Sequence, residues 1–522
     1  MKKHFLILLS FFFTTICIAQ PPSIQWAKCY GYGDQDYARS IIQTNDGGYI
    51  VAGESYTFYD STTIDNHGLF DMLIIKLDSQ GNIQWKKFYG GSGYDGANAI
   101  LQTPDSGFII AGYTSSDDGD VTSFIGGQDG WIIKIDSVGV IQWQKTIGGI
   151  NSDYISTMKK DYNGYIVVGY SSSSDSLVSA NHGIEDYWVT KIDSVGNVQW
   201  QKLYGGSSYD DATSIVITSD SGYAVAGYSS SDDSDVVGNH GAYDFWILKL
   251  DSLGNSVWKN TFGGMYSENA NSILQTDDDG FIILGSSESN DGDVSGNHGY
   301  GDIWFVKLNS LGNLLWQKCL GGSQMDYGTT MCKTNNNRFA VAGYSLSSDG
   351  DATFNHGDYD YWVAELDSNA NIIWQQSYGG GGIDIPHSIL QTNDSGLAIA
   401  GLTQSSNDGD VSNHIGGNCY GDSCSDYWIV KLAPLTTSNF EIQSSPLVFS
   451  INPNPTNDNF TIKLNLETRN ALLEIYNMFG ENVYAATIFS KQQTIVNKFP
   501  SGIYLVKVTD GEKQFTEKLI VQ

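Results

Sequence analysis

The sequence predicts an all-β chain dominated by a long internal repeat, and three observations carry that reading. Trp26, Trp85, Trp143, Trp200, Trp258, Trp316 and Trp374 recur at intervals of 59, 58, 57, 58, 58 and 58 residues. A second register holds Trp131, Trp188, Trp246, Trp304, Trp362 and Trp428, with Leu73 in the first unit, so the two registers account for all 13 Trp of the chain. Each unit carries four strand-like runs punctuated by Gly, Asp and Ser, as in 97–103, 107–114, 130–136 and 140–148 of the second unit. Four strands in about 58 residues exceed one coil of a β-helix and suit a propeller blade. Residues 24–432 are therefore expected to form a seven-bladed β-propeller, followed by a smaller β domain.

Composition agrees and excludes some functions. The 59 Gly, with abundant Asp, Asn and Ser, supply the turns that many short strands need. At 40% hydrophobic and 13% aromatic residues the chain can bury a large core, which rules out disorder. With 58 acidic against 27 basic residues the formal charge is -31, a field that repels nucleic acid.

Residues 1–19 have a basic start (Lys2, Lys3), an apolar run from Phe5 to Phe13 and a small-residue exit, the layout of a cleaved secretory signal. No later run approaches the roughly 18 apolar residues of a membrane helix. Five cysteines follow, and Cys419 and Cys424 bracket a Gly- and Asp-rich loop as the one expected disulfide. Cys29, Cys319 and Cys332 sit in apolar strand contexts as small buried hydrophobes.

The turn from Lys76 to Trp85, repeated around Asp136, Asp193, Asp251, Asn309 and Asp367, resembles the tryptophan-docking motif of quinoprotein-type propellers. In that family an Asp, a turn Gly and a Trp lock neighbouring blades. The spacing from Asp78 to Gly81 is one residue shorter than the family's, and no adjacent cysteine pair follows, so the resemblance implies architecture and not quinoprotein chemistry. It makes each Trp strand outermost in its blade and each "SIIQT" run innermost. The N-terminal strand, Ile24 to Tyr30, is then expected to complete the seventh blade and remove an open sheet edge.

After Leu432 the composition shifts. Residues 433–446, rich in Pro, Ser and Thr, read as a linker, and 447–522 as a separate β domain. Its opening Asn452-Pro453-Asn454-Pro455, the strand containing Gly502, Tyr504 and Lys507, and the basic-apolar terminus with Lys518 resemble the type A C-terminal sorting domain of the Bacteroidetes type IX secretion system. The resemblance covers about 75 residues. It implies an Ig-like sandwich, the secretion machinery as partner, and delivery outside the cell or onto the outer-membrane surface.

Three polar registers repeat in the propeller. Asp36, Asp95, Asp153, Asp210, Glu268, Asp326 and Asp384 follow the Gly-Gly turns. Asp71, Asp129, Asp186, Asp244, Asp302, Asp360 and Asp426 precede the third-strand aromatic. Seven copies of each argue for turn fixing rather than one catalytic pocket. The third register lies between the second and third strands: Asp118 and Asp120, Asp233 and Asp235, Asp291 and Asp293, Asp349 and Asp351, Asp408 and Asp410, with His67, His182, His240, His298, His356 and His414. Close carboxylates on Gly-rich loops suit calcium, a hard cation that takes six to eight oxygens. They are the candidate metal ligands, and no other cofactor is indicated. One His per loop does not gather a zinc site.

Residues that break the repeat are few: Arg39, Arg338, Glu365, His387 and the 419–424 insertion. No nucleophile elbow is present, and no carboxylate pair is singled out for glycoside hydrolysis. The expected protein is a secreted or surface-held monomeric β-propeller that binds an extracellular glycan or surface protein, with Tyr32, Tyr94 and Tyr209 as candidate stacking rings. A secreted polysaccharide hydrolase and a purely structural surface protein are the alternatives. A carboxylate pair over a deep axial pocket would favour the hydrolase.

Overall fold

The computed structural model describes residues 20–435 and 449–522, apart from 33, 57–65, 176–177, 179–180, 336, 416–423, 465–470, 478–481, 489–490, 497 and 511–512. The expected signal segment and most of the linker lie outside the described residues. The chain divides into two compact units, one ending at Leu435 and the other beginning at Thr436. The fold is all-β: among the described residues there is no helix.

The first unit consists of repeated four-stranded antiparallel sheets, the arrangement of a propeller. The first sheet runs Gln35–Gln43, Tyr49–Tyr56, Phe70–Leu77 and Ile83–Tyr89 in simple meander order. The second, Asp95–Gln102, Phe108–Thr114, Asp129–Ile135 and Ile141–Ile147, lies within two residues of its sequence-based bounds. Five more such sheets follow. The last contains Asp384–Gln391, Leu397–Thr403 and Asp426–Leu432, and Ile24–Tyr30 pairs antiparallel with Asp426–Leu432 as its fourth strand.

Burial explains the hydrophobic patterns. Second and third strands are covered on both faces, so runs such as Ile109-Ile110-Ala111 and Trp131-Ile132-Ile133 are continuously apolar and fully buried. First strands alternate, whereas most fourth strands are exposed at their start and buried only at their last one or two residues. Every first strand also breaks register at its third or fourth residue, between Ala38 and Ser40 in the first sheet and at the equivalent place in the other six. A β-bulge re-aims the inserted side chain, so one residue per sheet leaves the regular alternation.

The two Trp registers have different jobs. Third-strand Trp131, Trp188, Trp246, Trp304, Trp362 and Trp428 are at most 1% exposed. Trp131 and Trp304 donate Nε1–H to Gln144 (2.7 Å) and Gln317 (2.8 Å) on the adjacent fourth strand. Fourth-strand Trp side chains dock on the turn of the following sheet. Trp85 donates to the Ser137 carbonyl at 3.2 Å, and a Cβ on Gly254 (φ +75°) would lie 2.8 Å from the Trp200 ring, so that turn has to be Gly.

Charge ties the same elements. The third-strand Lys134 reaches Asp105, in the turn between the first two strands, at 2.9 Å, as Lys76 reaches Asp46 and Lys249 reaches Asp220. In the sixth sheet the pair is reversed as Glu365 and Arg338, 3.3 Å apart. Two of the repeat-breaking residues are thus one ordinary tie with its charges exchanged.

The second unit holds a three-stranded sheet (Phe449–Asn452, Phe460–Leu464, Gln492–Ile495) and a four-stranded sheet (Ala471–Tyr476, Asn482–Ile488, Gly502–Asp510, Lys513–Val521). Phe449, Phe460, Leu473, Val506 and Leu519 are among the residues of one shared core.

Truncating Trp246 to Ala should cost about 3–5 kcal/mol, the usual range for a fully buried Trp. Trp258→Ala, at a half-buried docking position, should cost less. Urea unfolding of the two variants measures the difference.

Candidate functional site

The symmetric acids are structural clasps. The first-strand carboxylate accepts the backbone amide of the residue four positions earlier in all seven sheets, from Tyr32 to Asp36 (2.9 Å) through Gly206 to Asp210 (2.7 Å) to Gly380 to Asp384 (2.8 Å). Serine hydroxyls of the second strand's exit, such as Ser116 (2.7 Å to Asp95) and Ser405 (2.9 Å to Asp384), donate to the same groups. The third-strand acids hold the loop before them. In five sheets they accept both the amide and the ring Nδ1–H of a His four residues earlier, as from His182 to Asp186 (2.9 and 2.7 Å) and His298 to Asp302 (3.0 and 2.6 Å). That accounts for five of the six His in the register; the sixth, His414, instead donates its amide to Asn407 (2.9 Å), with its Nε2 3.8 Å from Asp426.

The candidate calcium ligands face the Gly-Gly turns. Asp118, Asp233, Asp291, Asp349 and Asp408 accept amides of Ser92 (2.6 Å), Ser207 (2.7 Å), Met265 (2.9 Å), Ser323 (2.7 Å) and Gly381 (3.1 Å). Asp120, Asp293 and Asp351 accept longer bonds from Gly90, Gly263 and Gly321, Asp235 pairs with Lys259, and Asp410 lies 3.9 Å from His356 Nε2. Among the described residues no group of three or more His, Cys, Asp or Glu is gathered for a metal. Cys424 is disulfide-bonded, while Cys419 lies outside the described residues. Cys29, Cys319 and Cys332 are free thiols, and burial pushes Cys319 and Cys332 up to about 12.

All seven first strands line one cavity of about 820 Å³. The bulge residues stand in it or beside it as the series Arg39, Asn98, Ser156, Thr213, Asn271, Thr329 and His387. Asn98, Thr213 and Asn271 donate to carbonyls of the next sheet's bulge, at Ile155 (2.7 Å), Ala270 (2.7 Å) and Gly328 (2.8 Å). Between the seventh and first sheets the link is His387 with Arg39, 3.2 Å. Arginine cannot accept, so His387 Nε2 is the unprotonated nitrogen. Burial and the guanidinium hold this imidazole well below its ordinary pKa, hence neutral.

From Arg39 a polar chain crosses several sheets. Its guanidinium pairs with Glu54 (2.6 Å), whose other oxygen accepts the Tyr113 hydroxyl. The Tyr113 ring stacks on Tyr154 (5.0 Å), and Tyr154 on Tyr170 (5.3 Å). Glu185 and Asp211 then face each other across the third and fourth sheets, hydrogen-bonded to one another; burial raises both, with the charge of Asp211 adding to the rise at Glu185 and that of Asp210 to the rise at Asp211. Tyr228 is hydrogen-bonded to Asp211 and packs on Tyr243 (5.5 Å). At the same register Tyr327 stacks on Tyr344 (5.0 Å), which meets Tyr359 edge-on (5.1 Å).

Glu54, Glu185, Asp211 and this tyrosine belt were not singled out from sequence. Superposing the units would have exposed them: Asp211 occupies the position of Tyr37, Gly96, Tyr154, Asn269, Tyr327 and Ile385, and Glu185 that of Phe70, Gln128, Tyr243 and Gly301. Of the expected stacking rings, Tyr32 is packed under Lys86 (3.6 Å) against Phe88 (5.0 Å), whereas Tyr94 and Tyr209 are 49% and 39% exposed.

The carboxyl groups predict a pH profile. Burial raises Asp36 and Asp384 to about 7 and Asp71 and Asp129 to about 6. Folded values above unfolded ones give stability that is complete below about pH 4 and is lost as pH rises through 6 to 7. Asp105, held at about 2 by Thr103 and Lys134, has the opposite sign and loses its contribution as pH falls from about 4 toward 2. The melting temperature should peak near pH 4, and Glu185→Gln should raise it at pH 8 but leave it unchanged at pH 4.

In the second unit the motif residues clasp the terminus. Asn454 accepts the Ile520 amide (2.8 Å) and donates to the Lys518 carbonyl, Tyr504 donates to the Pro500 carbonyl (2.8 Å), and Lys507 lies 3.8 Å from Glu474. Gly502 begins the strand that pairs with the last one, opposite Val521, while Pro453 and Pro455 flank Asn454 in the segment leading to Thr456.

Residues 450–522 match the secretion system C-terminal sorting domain. No curated protein matches the chain. Among solved structures it is similar to PorZ, a surface component of the type IX secretion system of Porphyromonas gingivalis, at 11% identity over 94% of this chain and a TM-score of 0.39; the chain spans about 60% of that protein's length. A DUF4221 family member from Bacteroides vulgatus is similar at 10% identity over 80% of this chain and 99% of that one, with a TM-score of 0.33. The parainfluenza virus 5 hemagglutinin-neuraminidase ectodomain is similar at 9% identity over 80% and 86%, with a TM-score of 0.39. No helix among the described residues is long and apolar enough to cross a membrane. Residues 450–522 belong to the secretion system C-terminal sorting domain family, the tail that directs its protein through type IX secretion to the cell surface or the extracellular space.

Proposed function

We propose that residues 24–432 are a closed seven-bladed propeller that acts outside the cell as a carbohydrate-binding module, exported by its C-terminal domain after removal of a signal segment at 1–19. The closed ring is supported by bonds that recur without interruption between the last and first sheets. Asn393 N donates to Gln43 Oε1 at 2.8 Å, as Asn45 N does to Gln102 Oε1 at 2.9 Å. Tyr427 donates to the Leu73 carbonyl at 3.0 Å, as Tyr187 does to that of Trp246 at 2.8 Å.

The observation that carries the binding reading is the tyrosine belt, in registers shared by several sheets, together with the carboxylates Glu54, Glu185 and Asp211, which depart from the repeat. Half-buried tyrosines offer flat apolar faces, and Glu54, Glu185 and Asp211 accept hydrogen bonds, the combination that fixes a sugar ring. Glycoside hydrolysis needs two carboxyl groups about 5–9.5 Å apart. Glu185 and Asp211 are in hydrogen-bond contact, which favours binding over hydrolysis. A glycan array on the mature protein tests the reading. Tyr154→Ala should lower affinity for any glycan retained about tenfold, and loss of binding in Tyr94→Ala alone would move the site to the outer rim.

Calcium is the cation the paired loop carboxylates would take, through the oxygens not engaged with turn amides. Thermal unfolding in EDTA and then in millimolar calcium tests it. A calcium-specific rise places a metal bound only by the folded state; an unchanged midpoint leaves Asp118, Asp233, Asp291, Asp349 and Asp408 as clasps.

A further inference from the structure

The cavity lined by the first strands has the opposite electrostatic character to the chain that encloses it. The protein carries 58 acidic residues, yet no Asp or Glu lines this space, whereas Arg39, Lys159, Lys160, Lys333 and His387 do. Three of these are already engaged or neutral. Arg39 is paired with Glu54, Lys333 with Asp277, and His387 is uncharged. Lys159 and Lys160 have no hydrogen-bond or ion-pair partner among the described residues.

Both lysines depart from the repeat for identifiable reasons. The register of Lys159 is otherwise Ile42, Leu101, Val216, Leu274, Cys332 and Leu390, a ring of apolar side chains beside the cavity. The register of Lys160 holds Gln43, Gln102, Gln275 and Gln391, whose side chains accept an amide from the preceding sheet's turn at 2.8–3.2 Å, with Ile217 and Lys333 in the other two sheets, of which Lys333 pairs with Asp277 of the turn it faces. The turn facing Lys160 presents Pro104, which has no N–H to give. A glutamine there would have no donor, and the lysine in its place is left with its charge uncompensated. Lys159 and Lys160 are both exposed side chains on the cavity wall, free to meet a ligand that enters it. Two unpaired cations on a wall that carries no carboxylate give this part of the cavity a net positive charge.

We propose that this cavity binds a small hydroxylated oxyanion, of the chemical class of a sugar acid, with its anionic group on Lys159 and Lys160 and its hydroxyls on Ser156, Thr157, Ser214 and Thr329. The volume of about 820 Å³ is within the usual range for small-molecule sites. The site is separate from the tyrosine belt and stands or falls independently of it.

Calorimetric titration of the mature full-length protein with sodium glucuronate, inorganic phosphate and glucose, at constant ionic strength, tests the proposal. Glucuronate should bind and glucose should not. Phosphate binding as tightly as glucuronate would assign the site to a free inorganic oxyanion. Lys159→Leu restores the apolar residue of the other sheets, so it should fold, and it should weaken oxyanion binding about tenfold or more, the scale of one charge-assisted hydrogen bond. A second readout is acetylation of Lys159 by acetic anhydride, followed by peptide mass, which glucuronate should slow. Equal binding by wild type and Lys159→Leu, or no binding of either anion with unprotected acetylation, would overturn the assignment. Retained binding of a neutral glycan in Lys159→Leu separates failure here from failure at the tyrosine belt.

Discussion

The buried carboxylate at each Gly-Gly turn is the interaction on which the first unit depends. Isolated charges do not enter a protein interior, and an acid survives there only if donors surround it or it takes a proton. The turns supply the donors, because consecutive glycines let the chain pass within hydrogen-bond reach of the side chain. A Cβ on Gly90 would fall 2.5 Å from Asp71 Oδ1 and 2.7 Å from Asp95 Oδ2. Two acids, one from each of two consecutive sheets, meet at that glycine. Their remaining oxygens, such as Oδ1 of Asp71 and of Asp129, have no partner, which is why burial raises these groups instead of leaving them ordinary carboxylates.

Repetition and departure from it divide the residues by role. What occurs seven times, the clasping acids and the Trp registers, joins sheet to sheet. What occurs once is where the sequence had freedom to differ. Arg338 with Glu365 shows that a departure can still be structural, since it performs the Lys–Asp tie in reverse. Arg39, Glu54, Glu185, Asp211 and Lys159 have no such counterpart in the other sheets, and the first four belong to one hydrogen-bonded and stacked series that crosses several sheets.

Much of the fold was legible because Trp is rare and regularly spaced, and because doubly covered strands read as unbroken apolar runs. The pairing of Ile24–Tyr30 with Asp426–Leu432 followed from counting strands per unit. The site was harder to read. Its carboxylates are hidden among 58 acidic residues, and only alignment of the units on the bulge shows that Asp211 stands where others have Tyr or Gly. The bulge itself has no strong sequence signature: its inserted residue is Arg, Asn, Ser, Thr or His, and only the register shows that it leaves the strand's alternation. The loop acids are ambiguous in sequence because paired Asp on a Gly-rich loop has the same composition whether it faces a cation or turn amides; the structure adds that five of them accept turn amides.

A basic cavity inside an acidic shell constrains what can reach it. A net charge of -31 repels anions at a distance, most strongly those of high charge. That repulsion is screened beyond about 8 Å at physiological ionic strength, whereas the unpaired ammonium groups act on a ligand within a few ångström, well inside that length. A singly charged small molecule therefore crosses a low outer barrier and meets full attraction at the end, while a polyanion pays the outer term for every charge and places only one or two on lysines. The field of the whole molecule thus works as a filter for size and charge, and the uncharged hydroxyl lining contributes the rest of the discrimination.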